Sequence, residues 1–195
     1  MTIPFHRLLL TAYACMPSRV RFGRTSYMHG TLDQRQSAKR FGKMKALIIY
    51  DSVYGNTEKI AKAIGDAITG EPKVLRVGEV NSSELKTFDL LIAGSPTQGG
   101  RPTLAIQEFL NKIPEPAIGG INVTAFDTRL STRLVGIFGY AAVKIADSLK
   151  RRGGTLIAPP EGFFVKGREG PLKEGELERA AKWAKEIETY WKKSK

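Results

Sequence analysis

The segment Ser52-Val53-Tyr54-Gly55-Asn56-Thr57 gathers three hydroxyls, a carboxamide and a glycine between the apolar run Lys45 to Tyr50 and a stretch with helical periodicity. A strand-loop-helix turn of this kind converges backbone N–H groups and neutral side-chain donors on one point, where the helix dipole also favours negative charge. A phosphate group fits that chemistry. Gly55 lets the backbone curl closely around an oxyanion, Asn56 tolerates turn geometry, and the hydroxyls of Ser52, Tyr54 and Thr57 donate without carrying charge. The segment lacks the glycine-lysine pattern of a Walker loop and the three spaced glycines of a dinucleotide fingerprint, which argues against ATP and NAD as tightly held cofactors. The plainer alternative is an ordinary turn in which Asn56 or Thr57 only caps the helix.

The elements that must position this loop alternate strand and helix from residue 45 onward, the pattern of a parallel sheet covered by helices on both faces. The first strand is continuously apolar, as a central parallel strand is. Its helix, Thr57 to Ile68, aligns Ile60, Ala61, Ile64 and Ile68 and stops at Gly70 and Pro72. Strands are predicted at Lys73 to Val77, Phe88 to Ala93, Ile121 to Phe126 and Thr155 to Ala158, and helices at Leu104 to Leu110, Gly139 to Arg151 and Gly175 to Lys192. Pro159 to Pro171 reads as an irregular, hairpin-like connection. The last helix places Leu177, Ala180, Ala181, Ala184, Ile187 and Trp191 on one stripe, so Trp183 and Trp191 are expected in or beside the core. Ligands of open parallel sheets bind outside the C-terminal ends of the strands where the strand order reverses. For strand order 2-1-3-4-5 the polar segments 52–57, 95–101 and 127–133 meet at one such crevice.

With these residues the chain resembles the flavodoxin family over about residues 44–195. The family's phosphate loop, Ser/Thr-x-Thr-Gly-Asn-Thr, is matched by Ser52 to Thr57 with Tyr54 as the one departure, and Gly94-Ser95-Pro96-Thr97-Gln98-Gly99-Gly100 is similar to its middle loop. The resemblance implies a flavodoxin-like, doubly wound five-stranded parallel sheet and FMN as cofactor. It implies a phosphate held by Ser52, Tyr54, Asn56 and Thr57, with Val53 and Gly55 in the same cofactor-binding loop, and a ring system lined by Pro96, Thr97, Gln98, Gly99, Asp127, Thr128 and Arg129. No catalytic side chain and no metal is implied. Gln98 and Asp127-Thr128-Arg129 stand where flavodoxins generally flank the flavin with aromatic residues. Tyr54 is one substitute, and Phe126 is either another or a core residue of its strand.

The implied function is electron transfer to redox partner proteins, with FMN cycling between oxidised, semiquinone and hydroquinone forms. A flavodoxin-like NAD(P)H:quinone reductase is the second reading, with Arg101, Arg129 and Arg133 attracting an anionic nicotinamide. A flavin-free interaction module is the third. Residues 44–195 contain no cysteine and no histidine, since Cys15, His6 and His29 all precede them. That excludes thiol nucleophiles, Ser-His-Asp triads, disulfide frameworks and nearly all zinc or copper sites, so any chemistry there needs a bound cofactor.

Charge is concentrated at the front of the chain. Residues 1–43 carry eight Arg and Lys against Asp33 alone, while the remainder holds 23 bases against 18 acids interleaved with one another. An interleaved surface without aromatic spacing argues against nucleic acid. No apolar run reaches the roughly 20 residues of a membrane span, and the cytoplasm is the default compartment. Residues 1–43 show no core-forming pattern and read as a disordered extension, through a start codon placed too early with Met44 as the true first residue, a targeting segment, or a genuine tail. Deleting them is expected to leave FMN affinity unaltered and the melting temperature within about 4 °C of the full chain's, a margin that represents about 1 kcal/mol or more in a domain of this size. Thermal melts and flavin titrations of the two forms check this.

Overall fold

In this computed structural model the described residues are 43–131 and 139–195. The expected extension therefore lies, apart from Lys43, outside the described residues, as does Arg133. The six strands are β1 (Lys45–Tyr50), β2 (Glu71–Arg76), β3 (Leu90–Pro96), β4 (Asn122–Leu130), β5 (Thr155–Leu156) and β6 (Glu161–Val165). The helices are α1 (Asn56–Ala67), α2 (Leu104–Lys112), α3 (Ala141–Arg151) and α4 (Glu176–Lys193). Two short 3₁₀ segments, Val77–Glu79 and Ser82–Thr87, join β2 to β3.

All pairings between these strands are parallel, in the order β2-β1-β3-β4-β5, with β6 also on β4. The strand order expected from the sequence is the one observed. The fifth strand position differs. Asn122 and Val123 of β4 pair with β5, and Phe126 to Leu130 pair with β6, so β5 and β6 are two halves of one edge strand. Between them Ile157 to Pro160 span the stretch that only Thr124 and Ala125 cover on β4. Pro159 and Pro160 have no N–H to give, so the ladder lapses there and resumes at Glu161. The proline pair hid the second half of this strand, and the irregular connection expected over Pro159 to Pro171 is corrected to a strand followed by a tight hairpin.

Strand alternation divides the core. Leu47, Ile49, Leu91, Ala93, Val123 and Ala125 face one way, onto Ile106, Phe109 and Leu110 of α2 and Ile145 and Leu149 of α3. Ala46, Ile48, Leu90, Ile92, Phe126 and Phe163 face the other, onto Ile60 and Ile64 of α1 and Ala180, Trp183, Ala184 and Ile187 of α4. Both tryptophans are buried, as expected. The expected stripe of α4 holds at Ala180, Ala184, Ile187 and Trp191 and fails at Leu177, which is 43% exposed, while Trp183 joins the buried face. Its indole meets Phe126 and Phe163 edge to face, with centroids 6.1–6.5 Å apart. Phe126 is thus a core residue, fully buried. On the same face Arg179 pairs with Glu161 and Glu176, and Glu176 accepts the Phe164 N–H at 2.9 Å, which fastens β6 to α4.

Gly94 lies opposite Phe126 in the β3–β4 register, and a Cβ there would run into the Phe126 ring. The expected functional loop at Gly94-Ser95-Pro96 is, for these three residues, the end of a strand whose glycine makes room for a core aromatic. Gly94→Ala is expected to destabilise the protein by about 1–3 kcal/mol through overpacking, and a Gly94→Ala/Phe126→Leu double variant to regain part of that, both read by urea unfolding.

Candidate functional site

The N-cap of α1 is Gly55, held at φ 80°, where a side chain is strained. It has no side-chain cap hydrogen bond. The plainer reading of the loop, capping by Asn56 or Thr57, is therefore corrected. The first intrahelical bond runs from the Lys59 N–H to the Gly55 carbonyl at 3.1 Å, leaving the N–H groups of the first turn to point out of the helix end. Ser52 is 8% exposed and its hydroxyl is buried without a hydrogen-bond partner. An unpaired buried hydroxyl is uncommon in a folded protein and asks for a ligand or water.

Other side chains of the loop are already engaged. The Thr57 and Thr128 hydroxyls share a 2.8 Å hydrogen bond, tying α1 to β4. Asn56 Nδ2 donates to the Glu169 carbonyl at 2.8 Å. Behind the loop, Arg76 Nη2 donates to the Ser52 carbonyl at 3.2 Å and to Asp51 Oδ1 at 3.3 Å. Val53 and Tyr54 stand half exposed at the rim, at 51% and 47%.

The second segment turns at Gly99 and Gly100, with Gln98 and Arg101 exchanging backbone hydrogen bonds at 2.9 and 3.0 Å. The buried Ser95 hydroxyl accepts the Thr103 N–H at 2.9 Å and so closes the loop into α2. The third segment is not a loop at its start: Asp127, Thr128, Arg129 and Leu130 continue β4. The alternation of this strand decides what each residue does.

Asp127 is fully buried beneath the turn. Its Oδ2 accepts the Thr97 hydroxyl at 2.9 Å and the Ala142 N–H at 3.0 Å, and Thr97 Oγ1 in turn accepts the Ala141 N–H at 3.0 Å. Arg129 Nε lies 3.3 Å from Asp127 Oδ1. Burial pushes the Asp127 carboxyl up from the ordinary aspartate range, opposed by the Ala142 N–H, the Arg129 charge and the Thr97 hydroxyl. The Arg129 guanidinium also stacks 3.7 Å above the Tyr140 ring, and Gly162 leaves space for it, since a Cβ there would collide with it.

A cleft of about 640 Å³ opens where the three segments meet, a size suited to a cofactor. Of the predicted site residues, Ser52, Val53, Tyr54, Asn56, Thr57, Pro96, Thr97, Gln98, Gly99, Thr128 and Arg129 line it. Gly55 and Asp127 do not; Gly55 shapes the helix start and Asp127 works from beneath. Gly100 and Leu130, from the expected segments 95–101 and 127–133, also line it, and sequence reasoning missed Val165 and Arg168, which complete the lining. Val165 ends the strand half that Pro159 and Pro160 concealed, and Arg168 lies in the turn that follows it. Arg101 is exposed and away from the lining. No group of three or more metal-ligating side chains occurs among the described residues.

A bare helix N-terminus, an orphaned hydroxyl and a cleft at the C-terminal end of a doubly wound sheet are features suited to a phosphate-bearing cofactor. The family model for flavodoxin matches residues 48–183, more than half of the chain. The protein belongs to the flavodoxin family, whose cofactor is FMN and whose role is flavin-based electron transfer with redox partners. No curated protein sequence matches the chain. Among solved structures, oxidised flavodoxin 1 from Bacillus cereus is similar at 20% identity and TM-score 0.63, over 74% of this chain and 97% of that one. A flavodoxin from the domain Archaea is similar at 23% identity and TM-score 0.61, over 75% and 99%. Two-electron reduced Megasphaera elsdenii flavodoxin is similar at 20% identity and TM-score 0.56, over 72% and 98%. At these identities the structures show the shared fold.

Arg129→Met leaves a buried carboxylate with two donors and no counter-charge, so it is expected to cost about 1–3 kcal/mol in urea unfolding, with Asp127→Asn/Arg129→Met restoring part of the loss. Because the folded-state pKa of Asp127 is raised, the folded state holds the extra proton as pH climbs from the ordinary aspartate range. This group's contribution to stability therefore declines with rising pH until the raised pKa is passed, and Asp127→Asn is expected to remove that decline in unfolding curves taken across the acidic range.

Proposed function

We propose that the protein is a one- and two-electron carrier that binds FMN in this cleft, the phosphate on Ser52 to Thr57 and the ring system between the Pro96–Gly99 turn and the end of β4. The observation that carries the reading is the buried, unpartnered hydroxyl of Ser52, a residue of the cleft wall beside the bare N-terminus of α1. Bound FMN supplies the electron-accepting chemistry. The chain's residues bind and orient it: backbone N–H groups of the first turn and Ser52 donate to the phosphate, and Tyr54 offers the cleft's rim an aromatic face. Residues 44–195 carry no histidine or cysteine, in keeping with a site that asks no acid-base or thiol chemistry of the protein.

The carrier reading is favoured over a quinone reductase by Arg129. Its guanidinium is committed to Asp127 and to the Tyr140 ring, which removes it as a receptor for an anionic nicotinamide. In this reading the partners are redox proteins of the cytoplasm.

Titration of the apoprotein with FMN and with riboflavin tests the site. Ser52→Ala removes no intramolecular hydrogen bond, so the fold is expected to stand while FMN affinity falls about tenfold, equivalent to about 1.4 kcal/mol, and riboflavin affinity stays unchanged. Equal affinity for FMN in wild type and variant contradicts the phosphate placement, and rapid NADPH oxidation by the pure holoprotein with a quinone acceptor contradicts the carrier role.

A further inference from the structure

The Ser52 to Thr57 loop offers the phosphate only neutral donors, and a phosphate dianion moved out of water into a cleft is costly without an opposing charge. The structure places such a charge on an element outside the three loops. After β6 the chain folds back at once: Val165 and Leu172 form an antiparallel bridge, the Lys166 N–H donates to the Pro171 carbonyl at 2.8 Å, and the Gly170 N–H donates to the Gly167 carbonyl at 3.1 Å. Arg168 and Glu169 occupy the tip of this hairpin. The tip rests on the first residue of α1, since the Glu169 carbonyl accepts from Asn56 Nδ2 at 2.8 Å. Gly170, at φ 112°, lies so close that a Cβ would meet the Asn56 carboxamide. Asn56 therefore holds the hairpin against the phosphate loop, and Arg168 lines the same cleft as Ser52, Asn56 and Thr57.

We propose that Arg168 is a second phosphate ligand, a cation brought to the phosphate loop by the hairpin after β6, and that it sets the preference for FMN over its unphosphorylated analogue. The inference rests on the FMN reading of the cleft. Among the described residues Arg168 has no ion-pair partner, whereas Arg129, the other cation of the lining, is held by Asp127. Of the nearby acids, Glu58 in the first turn of α1 is paired with Lys62 at 2.6 Å, and Glu169 is exposed beside Arg168. Exposure lets the guanidinium swing over the phosphate at little cost to the fold.

The test compares wild type, Arg168→Gln and Arg168→Lys by titrating each apoprotein with FMN and with riboflavin, at low and high salt. Arg168→Gln is expected to lose about tenfold or more in FMN affinity, the effect of one charge-assisted contact. Its riboflavin affinity and melting temperature stay at wild-type values, and its FMN affinity depends less on salt. Arg168→Lys keeps most of the FMN affinity. Unchanged FMN affinity in Arg168→Gln, or equal losses for FMN and riboflavin, overturns the proposal while leaving FMN in the cleft. A wild-type apoprotein that binds no FMN overturns the reading of the cleft itself.

Discussion

A carboxylate taken wholly out of water is tolerable only where donors and a counter-charge converge on it, and Asp127 sits at the junction of everything that shapes the cleft. Its partners come from three elements: Thr97 from the turn after β3, Ala142 from the start of α3, and Arg129 from its own strand. Each would otherwise be free to move independently at the sheet's C-terminal edge. The negative charge also faces the N-terminal end of α3, where the helix dipole favours it. One buried acid thus orders the turn, the helix start and the strand end together, and its arginine, at the wall of the cleft, is held in a stack on Tyr140.

The same edge shows a division of labour between side chains that fix the scaffold and groups left open for a ligand. Thr57, Thr128, Asn56 and Ser95 spend their polar atoms on one another or on backbone, which holds the loops rigidly at the ends of β1, β3 and β4. Ser52 and the first-turn N–H groups of α1 remain unspent. Preorganised donors of this kind bind without first giving up internal bonds, so their interaction with an anion appears almost entirely as affinity.

Much of this was legible because strong local signals agreed with the global fold. The alternation of apolar strands and amphipathic helices pointed to a helix-covered parallel sheet, the resemblance to flavodoxins implied its strand order, and the hydroxyl-rich loop pointed to one wall of the cleft. What the sequence concealed has physical causes. Pro159 and Pro160 interrupt a strand whose second half is held by β4 pairing and by the Glu161, Glu176 and Arg179 clamp, long-range contacts with no local signature. Polar residues at Asp127 to Arg129 resemble a loop, although the register with β3 and β6 keeps them extended. Leu177 fits the helical stripe, yet it lies in the first turn of α4 and stays largely exposed, a position the periodicity does not reveal. Asn56 carries the right residue type for a phosphate contact, but a hairpin 113 residues away claims its side-chain donor.

The interrupted fifth strand has a further consequence, at the margin of the sheet. An open sheet ends in two strands whose outer N–H and C=O groups can template the addition of another chain. Here one margin is split by Pro159 and Pro160, and the other, β2, carries Pro72 and Lys73 within its six residues. Missing amide donors and a lysine make both margins poor partners for strand addition. The proline pair that interrupts the ladder in mid-strand thereby also makes its margin a poor template for a further strand.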